Sequence, residues 1–258
     1  MVAITTSRCL TAITTLSCLT RIEAARKFNR RSDLGNVPVV NISASGWTVP
    51  LQGGRTCDTN GTCTDSLTAP FGNKPLQYLA VARGSYTYTC TGGGPSETPL
   101  FQTQSTQLYN AASLVSRMTS EASFHSLIPQ LYDYDYGQLE NSTLECMGTI
   151  GTINDTAIVT LFEIATFASL PYESLLAPID PDHNGRWGHS TSPGKSWDIY
   201  RVEMAGGAPP VCGSEELEYK KDYAAEYWFF HSGGEDLWTD INVNVNLTTG
   251  GTTGESQV

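Results

Sequence analysis

The sequence has few charged residues, and basic residues are scarce beyond its first 31 positions. Charged residues make up 16% of the 258-residue chain. From residue 32 onward there are 9 basic and 25 acidic residues, which gives this part a net charge of −16. Such a surface repels the phosphate backbone of nucleic acids, so the sequence predicts no nucleic-acid partner. The sequence also lacks a run of about 18 apolar residues, so it predicts no membrane-spanning helix.

The motifs of a dinucleotide site and of a zinc site are missing as well. The nearest approach to a pyrophosphate-binding glycine turn is residues 92–97 (GGGPSE). This segment lacks the third glycine, and Pro99 prevents a regular helix from starting behind it. No C-x-x-C spacing occurs, and no histidine lies near Cys57 or Cys63 in the sequence, which argues against zinc.

The N-terminus has a weak export pattern. Residues 9–20 (CLTAITTLSCLT) form a semi-apolar region, which predicts a signal peptide over residues 1–24, with a frayed helix as the alternative. Residues 25–31 end in two arginines and form either a propeptide or a basic arm. We predict a single β-rich domain over residues 32–249 and a disordered polar tail over residues 250–258.

Sequons and cysteines also favour an extracellular protein. Asn-x-Ser/Thr sequons predict N-glycosylation of surface loops when a protein is secreted. Cys57 and Cys63 enclose a turn-rich segment that closes easily into a small disulfide loop. The predicted glycosylation sites are Asn41, Asn60, Asn141, Asn154 and Asn246.

Short alternating or apolar runs, separated by Gly, Pro, Asn and Thr, dominate the chain from residue 37. They predict an all-β fold, a mainly antiparallel sandwich or barrel with one or two short helices. Residues 107–118 are predicted to be helical, and residues 157–169 to be either a helix or a buried pair of strands. Residues 92–96 and 178–194 are predicted loops. The predicted strands cover residues 37–42, 76–82, 86–90, 199–204, 223–230 and 241–247, with Glu226 on the solvated side of its strand.

Several segments resemble an uncharacterised family of secreted proteins found mainly in filamentous fungi and some bacteria. Members of this family often carry the automatic label "malate dehydrogenase". The resemblance spans residues 37–230, and it implies an extracellular β-rich domain without an established activity or catalytic residues. It is carried, in this order, by residues 69–72 (APFG), 78–90 (YLAVARGSYTYTC), 108–114 (LYNAASL), 200–212 (YRVEMAGGAPPVC) and 223–230 (YAAEYWFF).

The chain departs from this family at positions that concern its cysteines and histidines. Members have a cysteine in the region where Ser113 stands, so the partner of Cys90 is left open between Cys212 and Cys146. Members also carry a Gly-His-His-Tyr-Phe stretch, for which only residues 188–189 (GH) are a candidate here.

A calcium loop is suggested by residues 180–185 (DPDHNG). Asp180, Asp182 and Asn184 place oxygen ligands at the first, third and fifth positions of such a loop. The twelfth position holds Thr191 where a bidentate Glu is needed, so the sequence predicts weak calcium binding at most. An ordinary polar turn is the alternative interpretation.

A carbohydrate-binding surface is suggested by Tyr132, Tyr134 and Tyr136, which alternate with two aspartates. In an extended segment these rings would point to one face and stack on sugars. The alternative is an ordinary strand whose tyrosines cover the edge of the core.

A weak imitation of a nucleophile elbow occurs at residues 188–192 (GHSTS). Ser190 would be the nucleophile, with Asp222 and His231 completing a triad. Pro193 blocks the helix that should follow such an elbow, which argues against this interpretation.

Together these features predict a secreted, glycosylated protein that is extracellular or associated with the cell wall. We predict that it binds a glycan or a small molecule. The competing prediction is a secreted enzyme, either a hydrolase or the dehydrogenase of the family label. Apart from weakly bound calcium no cofactor is predicted, and no catalytic residue is assigned.

Overall fold

The computed structural model describes residues 41–213 and 217–232, which contain ten strands and several short helices. The strands are β1 (Gln52–Cys57), β2 (Cys63–Ser66), β3 (Leu76–Thr89), β4 (Leu100–Asn110), β5 (Cys146–Ile153), β6 (Thr156–Leu161), β7 (Ala165–Leu175), β8 (Trp187–Thr191), β9 (Trp197–Gly206) and β10 (Glu218–His231). The helices are α1 (Ala112–Val115), α2 (Glu121–His125), α3 (Leu127–Asp133) and α4 (Tyr136–Glu140), and 3₁₀ turns occupy Ile42–Ala44, Phe71–Asn73 and Pro193–Lys195.

Eight of these strands form a closed antiparallel barrel in the order β10-β3-β4-β5-β6-β7-β8-β9. The remaining two strands, β1 and β2, pair with each other as a separate hairpin. The longest pairing joins β3 to β10, from Thr89 opposite Glu218 to Leu76 opposite Phe230. The predicted mainly antiparallel β fold with a few short helices is therefore confirmed, in its barrel form.

A glycine in the middle of β3 lets neighbouring side chains approach the strand closely. Residues 76–82 and 86–90, predicted as two strands, belong to the single strand β3. Gly84 faces the interior, where a Cβ atom would lie 2.5 Å from the Thr106 Oγ1 atom and 2.9 Å from the Tyr223 ring. This glycine therefore makes room for a tyrosine inside the barrel instead of ending the strand.

Three other local predictions are corrected. Residues 107–118 are not one helix, because β4 continues to Asn110 and only Ala112–Val115 is helical. The predicted loop at residues 178–194 contains β8, which is paired on both sides. In the predicted strand at residues 37–42, the described part begins a 3₁₀ turn at Ile42. Residues 157–169 form the predicted pair of strands, and residues 241–247 lie outside the described residues.

The helices cover the outside of β9 and β10, and they bury a carboxylate there. Helix α3 contacts β9, β10 and β3. Glu226 is fully buried, accepts a hydrogen bond from the Trp228 indole at 2.9 Å, and lies 2.7 Å from the His125 ring nitrogen. The prediction that Glu226 is solvated is wrong, because the helices of residues 112–140 pack over the face of β10 that points away from the barrel interior.

One end of the barrel is filled with aromatic rings. Trp197 stacks on Phe167, with ring centroids 5.1 Å apart, and on Tyr78 at 6.2 Å. On β10, the His231 ring lies 4.3 Å from that of Trp197. These rings come from β3, β7, β9 and β10, so they close the barrel from opposite walls.

Two disulfides occur among the described residues. Cys57 is bonded to Cys63 across the β1–β2 hairpin, as predicted. Cys90 is bonded to Cys212, which decides between the two partners that the sequence left open. No helix within residues 41–213 and 217–232 is long and apolar enough to cross a membrane.

Candidate ligand-binding site

The barrel interior contains a cavity of about 460 Å³ that is partly open to solvent. Ile150, Ala157 and Ile199 line its walls, and Leu170 lies at its rim. Eight-stranded barrels are wide enough either to be filled by their own side chains or to hold one small ligand. This volume lies within the range of sites that bind small molecules.

An arginine projects into the middle of this cavity. Arg201 lies on the inward face of β9, on the same face as Trp197 and Ile199. Its Nη1 atom donates to the Tyr86 hydroxyl at 2.6 Å, and its Nη2 atom donates to the Arg186 carbonyl at 3.0 Å. The Nε atom is buried and has no hydrogen-bond partner.

A belt of hydroxyl and amide groups surrounds the arginine. The Tyr223 hydroxyl lies 2.5 Å from the Thr106 hydroxyl and 3.1 Å from the Tyr227 hydroxyl. The Gln104 side-chain nitrogen lies 2.9–3.2 Å from all three of these oxygens, and its two hydrogens are shared among them. The Tyr86 and Tyr223 rings stack with centroids 4.5 Å apart, so β3, β4 and β10 hold the belt rigidly.

Two of the belt tyrosines, Tyr86 and Tyr223, are neutral phenols at physiological pH. Burial raises the pKa of Tyr86 and of Tyr223 well above the ordinary value, and nearby Arg201 lowers it only in part. For Arg201, burial alone would lower the guanidinium pKa, but the surrounding tyrosine oxygens raise it. The centre of the cavity therefore holds one positive charge among neutral hydroxyl groups.

A second polar cluster lies in the barrel wall, beneath the segment that precedes β3. His189 is 1% exposed, and its two ring nitrogens lie 3.1 Å from the Glu173 carboxylate and 2.8 Å from the Asp198 carboxylate. Asp198 also accepts from the Lys74 ammonium at 2.7 Å and from the Phe71 backbone amide at 3.1 Å. The His189 imidazole therefore lies between two carboxylates.

A family model matches residues 70–231, from the segment that precedes β3 to the last residue of β10. Its description is "Protein of unknown function (DUF3455)". The chain belongs to this family. The match confirms the resemblance to an uncharacterised family, and it covers all eight barrel strands and the arginine belt. No curated protein and no solved structure matches the chain.

The calcium candidate of this DUF3455 chain forms a turn beside the barrel. Asp180 lies 2.8 Å from the His183 ring, and the Asn184 side-chain oxygen accepts from the Gly206 amide at 2.9 Å. The Asn184 oxygen thus joins the turn to the end of β9, while Asp182 is exposed. Within residues 41–213 and 217–232, no group of three or more His, Cys, Asp or Glu side chains could hold a metal. Calcium binding here stays a prediction.

The tyrosines proposed for sugar stacking are not in an extended segment. Tyr132 lies in α3, Tyr134 follows it, and Tyr136 begins α4. The Tyr132 and Tyr136 rings each lie about 5 Å from the Arg83 guanidinium, which also donates to the Tyr134 carbonyl. The predicted single aromatic face is therefore wrong, because the three residues wrap around one arginine. Glycan binding by these rings stays a prediction.

The triad proposed from the sequence does not assemble. Asp222 and His231 are nine residues apart on β10, which separates them by about 30 Å in an extended strand. Ser190 instead lies 2.7 Å from the Ser169 hydroxyl inside the barrel.

Sequence reasoning missed Arg201, although a signal for it was present. In WDIYRVEMAG (197–206), alternate residues Trp197 and Ile199 are apolar, and Arg201 continues that face. A lone cation on an inward apolar face is the signal that could have identified it.

Proposed function

We propose that this protein binds a small organic molecule inside the barrel, and that it does so outside the cell. The observation that carries the proposal is a cavity inside the barrel with largely apolar walls and a belt of hydrogen-bonding groups around Arg201. Pockets of this kind, in which a few convergent polar groups orient a ligand against apolar walls, are typical of binding sites.

Filling the cavity should abolish binding of a neutral hydrophobic probe. We expect 1-aminoanthracene to bind the wild-type protein saturably, with an increase in its fluorescence. Ile150→Trp should weaken this binding at least about tenfold, since Ile150 is buried on the inward face of β5 and a larger ring occupies the probe's space. Fluorescence titration measures both affinities.

The same strand offers a matched control. Ile153 ends β5, is 55% exposed and does not line the cavity, so Ile153→Trp adds the same ring elsewhere. We expect its affinity for the probe to equal that of the wild type. An equal loss in both variants, or an unaltered affinity in Ile150→Trp, would contradict binding in the barrel.

The extracellular location is supported by the disulfides and by the sequons. Disulfides persist mainly in oxidising compartments. Asn41, Asn60, Asn141 and Asn154 are all exposed, so each is accessible to glycosylation, whereas Asn246 lies outside the described residues. The proposed signal peptide, basic segment and C-terminal tail lie outside the described residues too, and association with a cell wall stays a prediction.

Expression of the full chain in a eukaryotic host tests the location. We expect the protein in the medium, beginning near Ala25 or Ser32, with a mass that falls on treatment with an N-glycosidase. Mass spectrometry and N-terminal sequencing measure these properties. Retention of a full-length, unglycosylated chain inside the cell would refute the proposal.

The enzyme alternative has less support. Every pairing among the eight barrel strands is antiparallel, whereas a dinucleotide fold needs parallel strands joined through helices. The His189 cluster contains groups suited to acid–base chemistry, but Phe71 and Tyr172 pack against its imidazole at ring distances of 5.4 Å and 5.2 Å. The label "malate dehydrogenase" therefore has no counterpart in the geometry of the described residues.

A further inference from the structure

We propose that the ligand of the barrel is a monocarboxylic acid with an apolar body, whose carboxylate pairs with Arg201. This inference rests on the proposed function, and it names the chemical class of the ligand. Its starting point is the Arg201 guanidinium in the cavity, which has no carboxylate partner among the residues that the structure describes.

No described carboxylate lies within 4.0 Å of the Arg201 guanidinium in residues 41–213 and 217–232. Its neighbours are phenol hydroxyls and a backbone carbonyl. These groups accept hydrogen bonds from the guanidinium but do not neutralise its charge. A buried cation without a counter-charge is costly, and buried charges in proteins are normally paired. An anion entering the cavity would supply the missing charge.

The two acidic residues that line the cavity do not pair with Arg201. One is bonded to other groups, and the other lies in an exposed turn. Glu173 accepts from the Thr68 backbone amide at 2.6 Å and contacts His189 on the outer side of the wall. Asp155 is exposed, in the turn between β5 and β6. Neither acid competes with an incoming carboxylate for the guanidinium.

The charge of the site favours a monoanion. Besides Arg201, the only arginine or lysine among the described lining residues is Arg186, whose guanidinium bonds to the Ser174 hydroxyl at 2.8 Å and to the Ser174 carbonyl at 3.2 Å. Arg186 is only half-buried, so Arg201 has the more deeply buried guanidinium of the two. One buried guanidinium suits one carboxylate, whereas a phosphate dianion would leave a negative charge in a low-dielectric site.

The rest of the cavity indicates what the carboxylate carries. Ile150, Ala157, Ile199 and Leu170 are apolar lining residues of the same cavity as Arg201. An apolar chain or ring attached to the carboxylate would bury its surface against these side chains. The ligand that fits the cavity is therefore an acid with an apolar body.

Comparison of an acid with its neutral isostere tests this proposal. We would measure displacement of 1-aminoanthracene by 4-phenylbutyrate and by 4-phenylbutanamide, at neutral pH and 0.15 M salt. The acid should bind at least about 30-fold more tightly than the amide, in line with the cost of separating a buried charge pair. Arg201→Gln should remove this preference and leave the amide nearly unchanged.

The control is Arg55→Gln, which removes the same charge from an exposed position on β1, outside the barrel. Its preference for the acid should equal that of the wild type. If Arg201→Gln does not fold, the ratio of acid to amide affinity in the wild type still tests whether the ligand is a carboxylate. Arg201→Lys, which keeps the charge, should retain a preference for the acid.

The outcomes separate this inference from the function on which it rests. Equal binding of acid and amide, or binding of the probe without displacement by the acid, overturns the carboxylate inference and leaves the barrel a binding site. A preference that survives in Arg201→Gln overturns the role of Arg201. Failure of the probe itself to bind the wild-type protein overturns both.

Discussion

Replacing Cys90 and Cys212 together with serine should lower the free energy of unfolding by about 4–5 kcal/mol. The two residues are 122 positions apart in the sequence, so the bond closes a loop that contains most of the barrel. A covalent link across a loop of this length removes many conformations from the unfolded chain. Both cysteines are buried, and the bond ties the end of β3 to the segment that precedes β10.

The other disulfide is the matched comparison. Cys57 and Cys63 are 6 positions apart and join only the β1–β2 hairpin. The same loop-length relation gives about 2 kcal/mol for the Cys57→Ser, Cys63→Ser variant. Urea unfolding, followed by the fluorescence of the buried residues Trp187, Trp197 and Trp228, measures both losses. Equal losses for the two variants would contradict the argument from loop length.

The architecture could be predicted from local patterns, but its closure could not. Alternation in segments such as residues 86–90 predicts a strand with one buried face, and that face is the barrel interior. Closure requires the first and last strands of the sheet to pair with each other. Here these are β3 and β10, which are far apart in the sequence, so no local pattern predicts their pairing. The sequence therefore left sandwich and barrel as alternatives.

The missed helices illustrate a competition between two local signals. Alternation of Tyr and Asp over residues 132–136 resembles a strand. The same residues hold a helix start, because the Asp135 side chain accepts from the Gln138 amide while the Gln138 side chain accepts from the Asp135 amide. This capping box is a sequence-level signal of a helix start, and here it outweighs the alternation.

The candidate site was harder to predict than the fold, because its parts lie on different strands. Arg201, Tyr86 and Gln104 come from β9, β3 and β4, and only the barrel brings them together. In the sequence, Gly84 alone does not indicate the site. Only the structure shows that the space left by its missing side chain is occupied by Tyr223. A sequence alone shows that arginine, tyrosine and glutamine residues are present, but it does not show that their side chains meet at one place in the barrel.

Asp198→Ala should destabilise the protein by about 3–5 kcal/mol, the cost of breaking a buried ion pair by removing one partner. The Asp198 carboxylate is fully buried and is bonded to the Lys74 ammonium, to the His189 imidazole and to the Phe71 amide. Without it, the Lys74 ammonium lies buried without its partner. Asp182→Ala, which removes an exposed carboxylate from a turn, should change the free energy of unfolding by less than about 0.5 kcal/mol.

The pH dependence of the same group provides a second measurement. Burial alone would raise the pKa of Asp198, but hydrogen bonds from His189 and Lys74 outweigh it and lower the pKa below its ordinary value. A carboxyl group whose pKa is lower in the folded than in the unfolded protein stabilises the fold above its unfolded-state pKa of about 3.9, and this contribution is lost as the pH falls toward the folded-state pKa. The difference in unfolding free energy between the wild type and Asp198→Asn should therefore be largest near neutral pH and shrink below about pH 4. Urea unfolding at several pH values measures it, and a difference that grows with acidity would show that the charge of Asp198 does not stabilise the wall of the barrel.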